Sequence, residues 1–79
     1  MSKMKLSLAT KEAIRTFLDV MNSQEDNYIL ENENGNVRVD AKSMLGVLYA
    51  TTECGQTFFL MNTTNDGVFP TGFDGYHQF

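Results

Sequence analysis

One segment constrains the fold of this chain more than any other, because the spacing of its apolar residues changes there. Val37 and Val39 alternate with polar residues, which is typical of a half-buried strand. From Met44 onward the apolar residues are spaced as in a short, mostly buried helix. Ser43 stands at the junction. The segment therefore predicts a strand that leads directly into a helix, with a serine hydroxyl near the amino terminus of that helix.

The remaining elements follow from the same two periodicities. Strands are predicted over residues 4–8, 28–31 and 56–62, and a long helix is predicted from Lys11 to the polar run at residues 22–27. Thr10 supplies a hydroxyl to cap that helix, and Asn34-Gly35 predicts a tight hairpin before the strand at 37–39. The order β-α-β-β-α-β, with antiparallel hairpins, predicts an α+β sandwich whose helices lie on one face of the sheet.

The carboxyl-terminal segment is rich in aromatic residues with near-helical spacing. They are Phe69, Phe73, Tyr76 and Phe79. Pro70, Gly72 and Gly75 oppose a helix, since two interior glycines alone cost about 2 kcal/mol relative to alanine. We expect an irregular segment, or one short turn, that covers the sheet where a third helix would otherwise lie. A binding patch is the alternative interpretation.

Size and composition place the chain among small globular domains. Its 79 residues predict a single domain over 1–79, and an apolar content of 42% argues against wholesale disorder. Cys54 is the only cysteine, which rules out an internal disulfide and a multi-cysteine metal site and favours a reducing compartment. No apolar run is long enough for a membrane span. We therefore expect a soluble, cytoplasmic protein without cofactor or metal.

Charge is distributed unevenly along the chain. The formal net charge is −4, yet four cations and one acid fall within residues 1–15, and no cation follows Lys42. Nucleic-acid affinity depends on neutralising phosphates with lysine and arginine, so nucleic acid is not an expected partner. The basic amino-terminal segment is explained by lysines that protect a strand edge, and an acidic protein partner is the alternative.

Few residues are suited to catalysis. His77 is the sole histidine and lies close to the end of the given sequence, where a side chain is poorly fixed for proton or phosphoryl transfer. Cys54 has no neighbouring histidine or cation in sequence to activate it, so we interpret it as a turn residue. Carboxylates at turns and strand ends are attributed to solubility: Glu31, Glu33, Asp40, Glu53 and Asp66. We expect no enzyme activity.

Residues 42–47, Lys-Ser-Met-Leu-Gly-Val, resemble the strand-to-helix junction of the HPr-like phosphocarriers of the phosphotransferase system. The resemblance covers most of the chain as an order of elements and is sharpest over residues 34–66, where Asn34-Gly35, Gly55 and Asp66 also match. Two departures stand out. The Gly-Leu-His-Ala-Arg-Pro-Ala loop that carries the family's phosphorylated histidine is absent, and residues 67–76 replace its third helix.

The resemblance implies an open-faced β-sandwich with a four-stranded antiparallel sheet and a degenerate or missing third helix. It implies that Ser43 is a regulatory serine, phosphorylated by an HPr kinase, and that Met44, Leu45 and Leu48 form a patch for protein partners. Those partners would be HPr kinase-like, phosphotransferase or other regulatory proteins of a bacterial cytoplasm. The residues themselves leave open that Asp40 caps the helix and that Ser43 is an ordinary first-turn residue.

Two alternative functions accompany this non-catalytic, regulatory one. The first is a residual phosphocarrier that works through His77. The second is a self-associating scaffold, such as a homodimer. A thin third layer of the domain would leave part of residues 58–61, or the aromatic tail, exposed for such association.

Overall fold

Five strands form one sheet in the order β3-β2-β4-β1-β5. The computed structural model describes residues 2–71 and, for the backbone only, residues 76–78. The elements are β1 (Met4–Ser7), α1 (Lys11–Asn22), β2 (Tyr28–Asn32), β3 (Arg38–Asp40), α2 (Met44–Glu53), β4 (Thr57–Asn62) and β5 (Tyr76–Gln78). The four strands β3-β2-β4-β1 are antiparallel neighbours. The predicted α+β class and the four-stranded antiparallel sheet are confirmed.

The fifth strand corrects the prediction for the tail. Residues 76–78 are not irregular or a short turn, because they pair in parallel with β1 and place Tyr76 beside Lys5. An edge strand leaves backbone N–H and C=O groups unpaired, and a short extended segment satisfies them at little conformational cost. Phe73 and Phe79 lie outside the described residues. Within residues 2–71 and 76–78 there is no third helix.

The core lies between one face of the sheet and the two helices. Alternate strand residues supply the sheet side of a single cluster, and both helices supply the other side. Its fully buried members include Leu6, Leu30, Phe58, Leu60, Phe17, Met21 and Val47. Each such side chain contributes about 1.5–3 kcal/mol by leaving water. Because both helices contribute to one cluster, they cover the same face of the sheet, and no helix of the described residues covers the other face.

Local side chains fix where α1 begins and how closely α2 approaches the sheet. The Thr10 hydroxyl accepts a hydrogen bond from the Ala13 N–H at 3.0 Å, which confirms Thr10 as the cap of α1. At Gly46 an added Cβ would lie 3.1 Å from Cβ of Val39. The missing side chain therefore lets α2 pack tightly against β3.

The connection between β2 and β3 is longer than predicted. A tight turn at Asn34-Gly35 would join the strands directly, but residues 33–37 lie between them and only Gly35 has a positive φ, of 76°. Asn32 holds this longer loop: its Oδ1 accepts from the Val37 N–H at 3.0 Å, and its Nδ2 donates to Asn36 Oδ1 at 2.7 Å. The Asn32 N–H still donates to the Val37 carbonyl at 3.1 Å, and the Asn32 side chain replaces the reciprocal backbone bond.

The face of the sheet that the helices do not cover carries an ion-paired carboxylate. Glu31 is only 2% exposed, with Oε1 2.7 Å from Lys3 Nζ and Oε2 2.7 Å from Arg38 Nε. Lys3 reaches it over the ring of Phe59, 6.0 Å from the ring centroid. The attribution of Glu31 to solubility is therefore wrong, because this side chain, on β2, joins Arg38 on β3 to Lys3, the residue that precedes β1. We call these three charged residues the Glu31 bridge.

Residues 58–61 of β4 do not form an exposed apolar surface. Phe58, Leu60 and Met61 are buried, and Phe59 is partly buried under Lys3. Self-association through residues 58–61, one form of the scaffold alternative, is therefore not supported by their burial, and the side chains of the aromatic tail from residue 72 onward lie outside the described residues. Among the described residues, no helix combines the length and apolar character that a membrane crossing requires.

Candidate functional site

Ser43 is the capping residue of α2. Its Oγ accepts a hydrogen bond from the Gly46 N–H at 3.1 Å, and its carbonyl accepts from the Val47 N–H at 2.9 Å. Asp40 does not cap the helix, so that alternative is wrong. Its Oδ1 instead accepts from the Lys42 N–H at 2.9 Å and closes the turn that follows β3. The serine hydroxyl therefore lies at the positive end of the helix dipole, as the junction predicted.

The start of α2 is attached to the end of α1. Lys42 Nζ donates to the Gln24 carbonyl at 2.6 Å, and Asn22 Nδ2 donates to the Lys42 carbonyl at 3.3 Å. These bonds join the turn before Ser43 to the segment that ends α1. They fix the first turn of α2 relative to α1.

One side of α2 exposes large apolar side chains. Met44 is 61% exposed, Leu45 78%, Leu48 41% and Tyr49 56%. Val47 and Ala50 on the opposite side are buried. The expectation of a mostly buried helix is therefore wrong, although the three residues predicted as a partner patch are accessible. Tyr49 was not among those three. We call Met44, Leu45, Leu48 and Tyr49 the α2 patch.

A groove of about 430 Å³ separates α1 from the α2 patch. Its apolar lining consists of Ile14, Leu18, Met44 and Leu48. Its polar lining consists of Lys11, Arg15, Asp19 and Asn22. Both cations are exposed, and neither forms an ion pair with another residue in the described part of the chain. The groove thus combines an apolar surface with two cations and one carboxylate, Asp19, and so carries a net positive charge.

The other residues considered for chemistry do not join this site. The backbone of His77 lies in β5 opposite Leu6, and its side chain lies outside the described part of the chain. Cys54 ends α2, with its N–H donating to the Ala50 carbonyl at 2.8 Å, and is partly buried. No group of three or more His, Cys, Asp or Glu side chains is placed to hold a metal ion among residues 2–71. None of these residues whose side chains the structure describes lines the groove between α1 and the α2 patch.

A buried asparagine, which was not predicted as a structural residue, organises the loop after β4. Asn62 is fully buried; its Nδ2 donates to Asp26 Oδ2 at 2.9 Å and to the Val68 carbonyl at 2.8 Å. Hydrogen bonds from Asn62 and Asn65 lower the pKa of Asp26. Burial, with the negative charge of Asp26, raises the pKa of Tyr28. Both the oxygen and the nitrogen of the Asn62 side-chain amide form hydrogen bonds that hold the loop, so this cluster is structural.

Comparisons of this chain with protein-family models, with curated proteins and with solved structures each gave no match. The fold and the site alone therefore define the class of protein. It is an α+β domain that presents an apolar groove between two helices, beside a helix capped by serine.

Proposed function

We propose that this chain is a non-catalytic HPr-like domain: a bacterial, cytoplasmic, protein-binding relative of the phosphotransferase phosphocarrier. The observation that carries the proposal is the α2 patch, which exposes large apolar side chains on the helix where the resemblance expects partners to dock. Contiguous exposed apolar surface on a small domain marks interaction sites. The sheet order β3-β2-β4-β1, with both helices on one face, is compatible with an HPr-like sandwich.

The groove favours one kind of partner. Leu48 and Met44 offer apolar surface, and burying one such side chain completely contributes about 1.5–3 kcal/mol. Lys11 and Arg15 line the same groove and attract negative charge. The fitting partner is a protein surface that inserts an apolar side chain flanked by carboxylates. The acidic remainder of the chain repels carboxylates, which directs such a partner to this groove.

Ser43 is the proposed point of regulation. A phosphoryl group on its Oγ would add about −1.5 to −2 charges at neutral pH. The Gly46 N–H, which now donates to Oγ, and the helix dipole are placed to stabilise that charge. The charge would stand next to Met44 and so change the surface that a partner meets. Phosphorylation would thereby select among partners.

Phosphorylation by a purified bacterial HPr kinase with ATP and Mg²⁺ tests the regulatory role. Mass spectrometry should find one phosphoryl group on Ser43 and none on the Ser43→Ala variant. A chain that remains unmodified while the kinase phosphorylates a genuine HPr would remove Ser43 regulation from the proposal.

Binding of the same kinase, measured by calorimetry, tests the patch itself. Leu45→Gln should weaken binding about ten-fold, as expected for a central apolar contact. Val68→Gln is the matched control, because Val68 is 52% exposed and lies on the loop after β4. Equal effects of the two substitutions would contradict docking at the patch. Sedimentation tests whether a second copy of the chain occupies the patch instead. A dimer that dissociates in the Leu45→Gln variant would make the patch a homodimer interface.

A further inference from the structure

The methionines of this chain differ sharply in their access to solvent. Met4, Met21 and Met61 are buried, with exposed fractions of 7%, 0% and 4%. Met44 is 61% exposed and lines the groove between the helices. Among residues 2–71 it is thus the one exposed methionine. Met1 lies outside the described residues.

We propose that Met44 is a site of reversible oxidation by peroxide, and that its sulfoxide makes the groove polar and weakens docking there. The thioether sulfur donates an electron pair to one peroxide oxygen, the O–O bond breaks, and an S–O bond forms. The other oxygen leaves as water after taking up the remaining proton. Sulfur is oxidised by two electrons and the peroxide is reduced, and a thiol-dependent methionine sulfoxide reductase reverses the change.

The position of Met44 gives this modification a consequence. A thioether is flexible and apolar, which suits a surface that accommodates partners, whereas a sulfoxide is polar and demands hydrogen bonds. Met44 shares the apolar lining with Ile14, Leu18 and Leu48, none of which offers a donor side chain. A partner's apolar group that displaced water from the sulfoxide would remove the hydrogen bonds between its oxygen and that water, which costs binding free energy. The effect on docking rests on the proposed function, but the selective oxidation does not.

Limited treatment with hydrogen peroxide, followed by peptide mass spectrometry, tests selectivity. Cleavage after Glu53 with a glutamate-specific protease separates Met44 from Met61. A Cys54→Ala background removes the competing thiol. Met44 should be oxidised about ten-fold faster than Met4, Met21 or Met61, because reactivity follows exposure. Rates equal to that of Met61 would overturn the proposal.

The polarity of the groove is read with 8-anilinonaphthalene-1-sulfonate, whose rings suit the apolar lining and whose sulfonate suits Lys11 and Arg15. The variant Leu48→Gln is the control for the position of the dye, because weaker dye binding by this variant places the dye in the groove that Leu48 lines. Oxidised protein should bind the dye about ten-fold more weakly, and treatment with the reductase should restore binding. Met44→Leu should bind the dye before and after peroxide alike. Unchanged dye binding by protein oxidised at Met44 would overturn the proposal.

The two proposals fail separately. If the unoxidised chain does not bind HPr kinase, the proposed function fails, while the oxidation rates and the dye still decide the role of Met44. If the kinase binds but peroxide has no effect on binding, the proposed function stands and control by Met44 is overturned. A Met44→Leu variant that binds the kinase and resists peroxide supports both.

Discussion

Glu31 shows what a single residue does when its partners come from separate parts of the sheet. β1 and β3 are not neighbours, yet Lys3, which precedes β1, and Arg38 on β3 meet on the two oxygens of this carboxylate. The hydrogen bond from Lys3, assisted by Arg38 and opposed by burial, holds the pKa of Glu31 below its usual range. The carboxylate is therefore favoured in the folded chain over the unfolded one.

The lowered pKa gives a pH-dependent contribution to stability. It is complete above the usual range for glutamate, where the side chain is ionised in both states, and it is lost as the pH falls through the lowered value. Glu31→Gln should cost about 1 kcal/mol at neutral pH, a modest figure because Lys3 and Arg38 can return to water. Urea unfolding measured across the acidic pH range should also show that the unfolding free energy of this variant changes less with pH than that of wild type.

Glu33→Gln is the matched control, since Glu33 is exposed two residues further along the chain. It should keep the wild-type profile. Identical acid profiles for wild type and Glu31→Gln would contradict a stabilising role for the Glu31 bridge.

Some residue roles were predictable and others were not, for a physical reason. The hydroxyl of Thr10 bonds within its own helix turn, so local sequence was enough. Glu31 and Asn62 depend on partners 28 and 36 residues away, Lys3 and Asp26 respectively. A single sequence does not say which distant strands and loops will meet.

Helix α2 depends on its first turn at the scale of an element. Ser43→Ala removes the oxygen that accepts from the Gly46 N–H and should cost about 1 kcal/mol of unfolding free energy. Ser43→Asp keeps an acceptor and adds a charge that the helix dipole favours, so its stability should stay near wild type. Urea denaturation measures both. A Ser43→Asp variant as unstable as Ser43→Ala would show that Ser43 stabilises the fold in another way.

Substitutions on the two sides of α2 should differ in how much stability they cost. Val47→Ala should cost about 2 kcal/mol, because Val47 is fully buried and its removal leaves a cavity. Leu45→Gln should change stability by less than about 0.5 kcal/mol, since Leu45 is 78% exposed. Thermal and urea unfolding compare the variants. A large loss with Leu45→Gln would mean that the patch supports the fold rather than a partner.

The existence of α2 was predictable, but its orientation was not. Met44, Leu45, Val47, Leu48 and Tyr49 are apolar on nearly every side of the helix. A helix without a polar side gives no periodic signal for the side that meets the sheet. The close approach at Gly46 determines which side of α2 meets the sheet, because the glycine faces Val39 on β3.

At the scale of the whole molecule, the order of the first six elements followed from the sequence and the fifth strand did not. Alternation and helical spacing persist over residues 4–62, whereas residues 69–79 combine aromatic residues with glycines and a proline. Their strand is a property of the free edge of β1, which local sequence does not encode.

Removing residues 72–79 should therefore expose that edge. Hydrogen exchange of backbone amides in Lys5–Ser7 should accelerate, and the truncated chain should associate at high concentration through its unpaired strand. Exchange measured by NMR and sedimentation over a concentration series check both. Removal of Phe79 alone is the control. Unchanged exchange in β1 after the larger truncation would mean that β5 adds nothing to the sheet.

The position of β1 has a consequence for biosynthesis. Its neighbours β4 and β5 follow it by about fifty and seventy residues, so a nascent chain carries β1 without either partner until residue 62 has left the ribosome. Met4 and Leu6 remain available to chaperones throughout that interval. A ribosome that pauses before Thr57 therefore holds β1 with its apolar side chains unburied by β4.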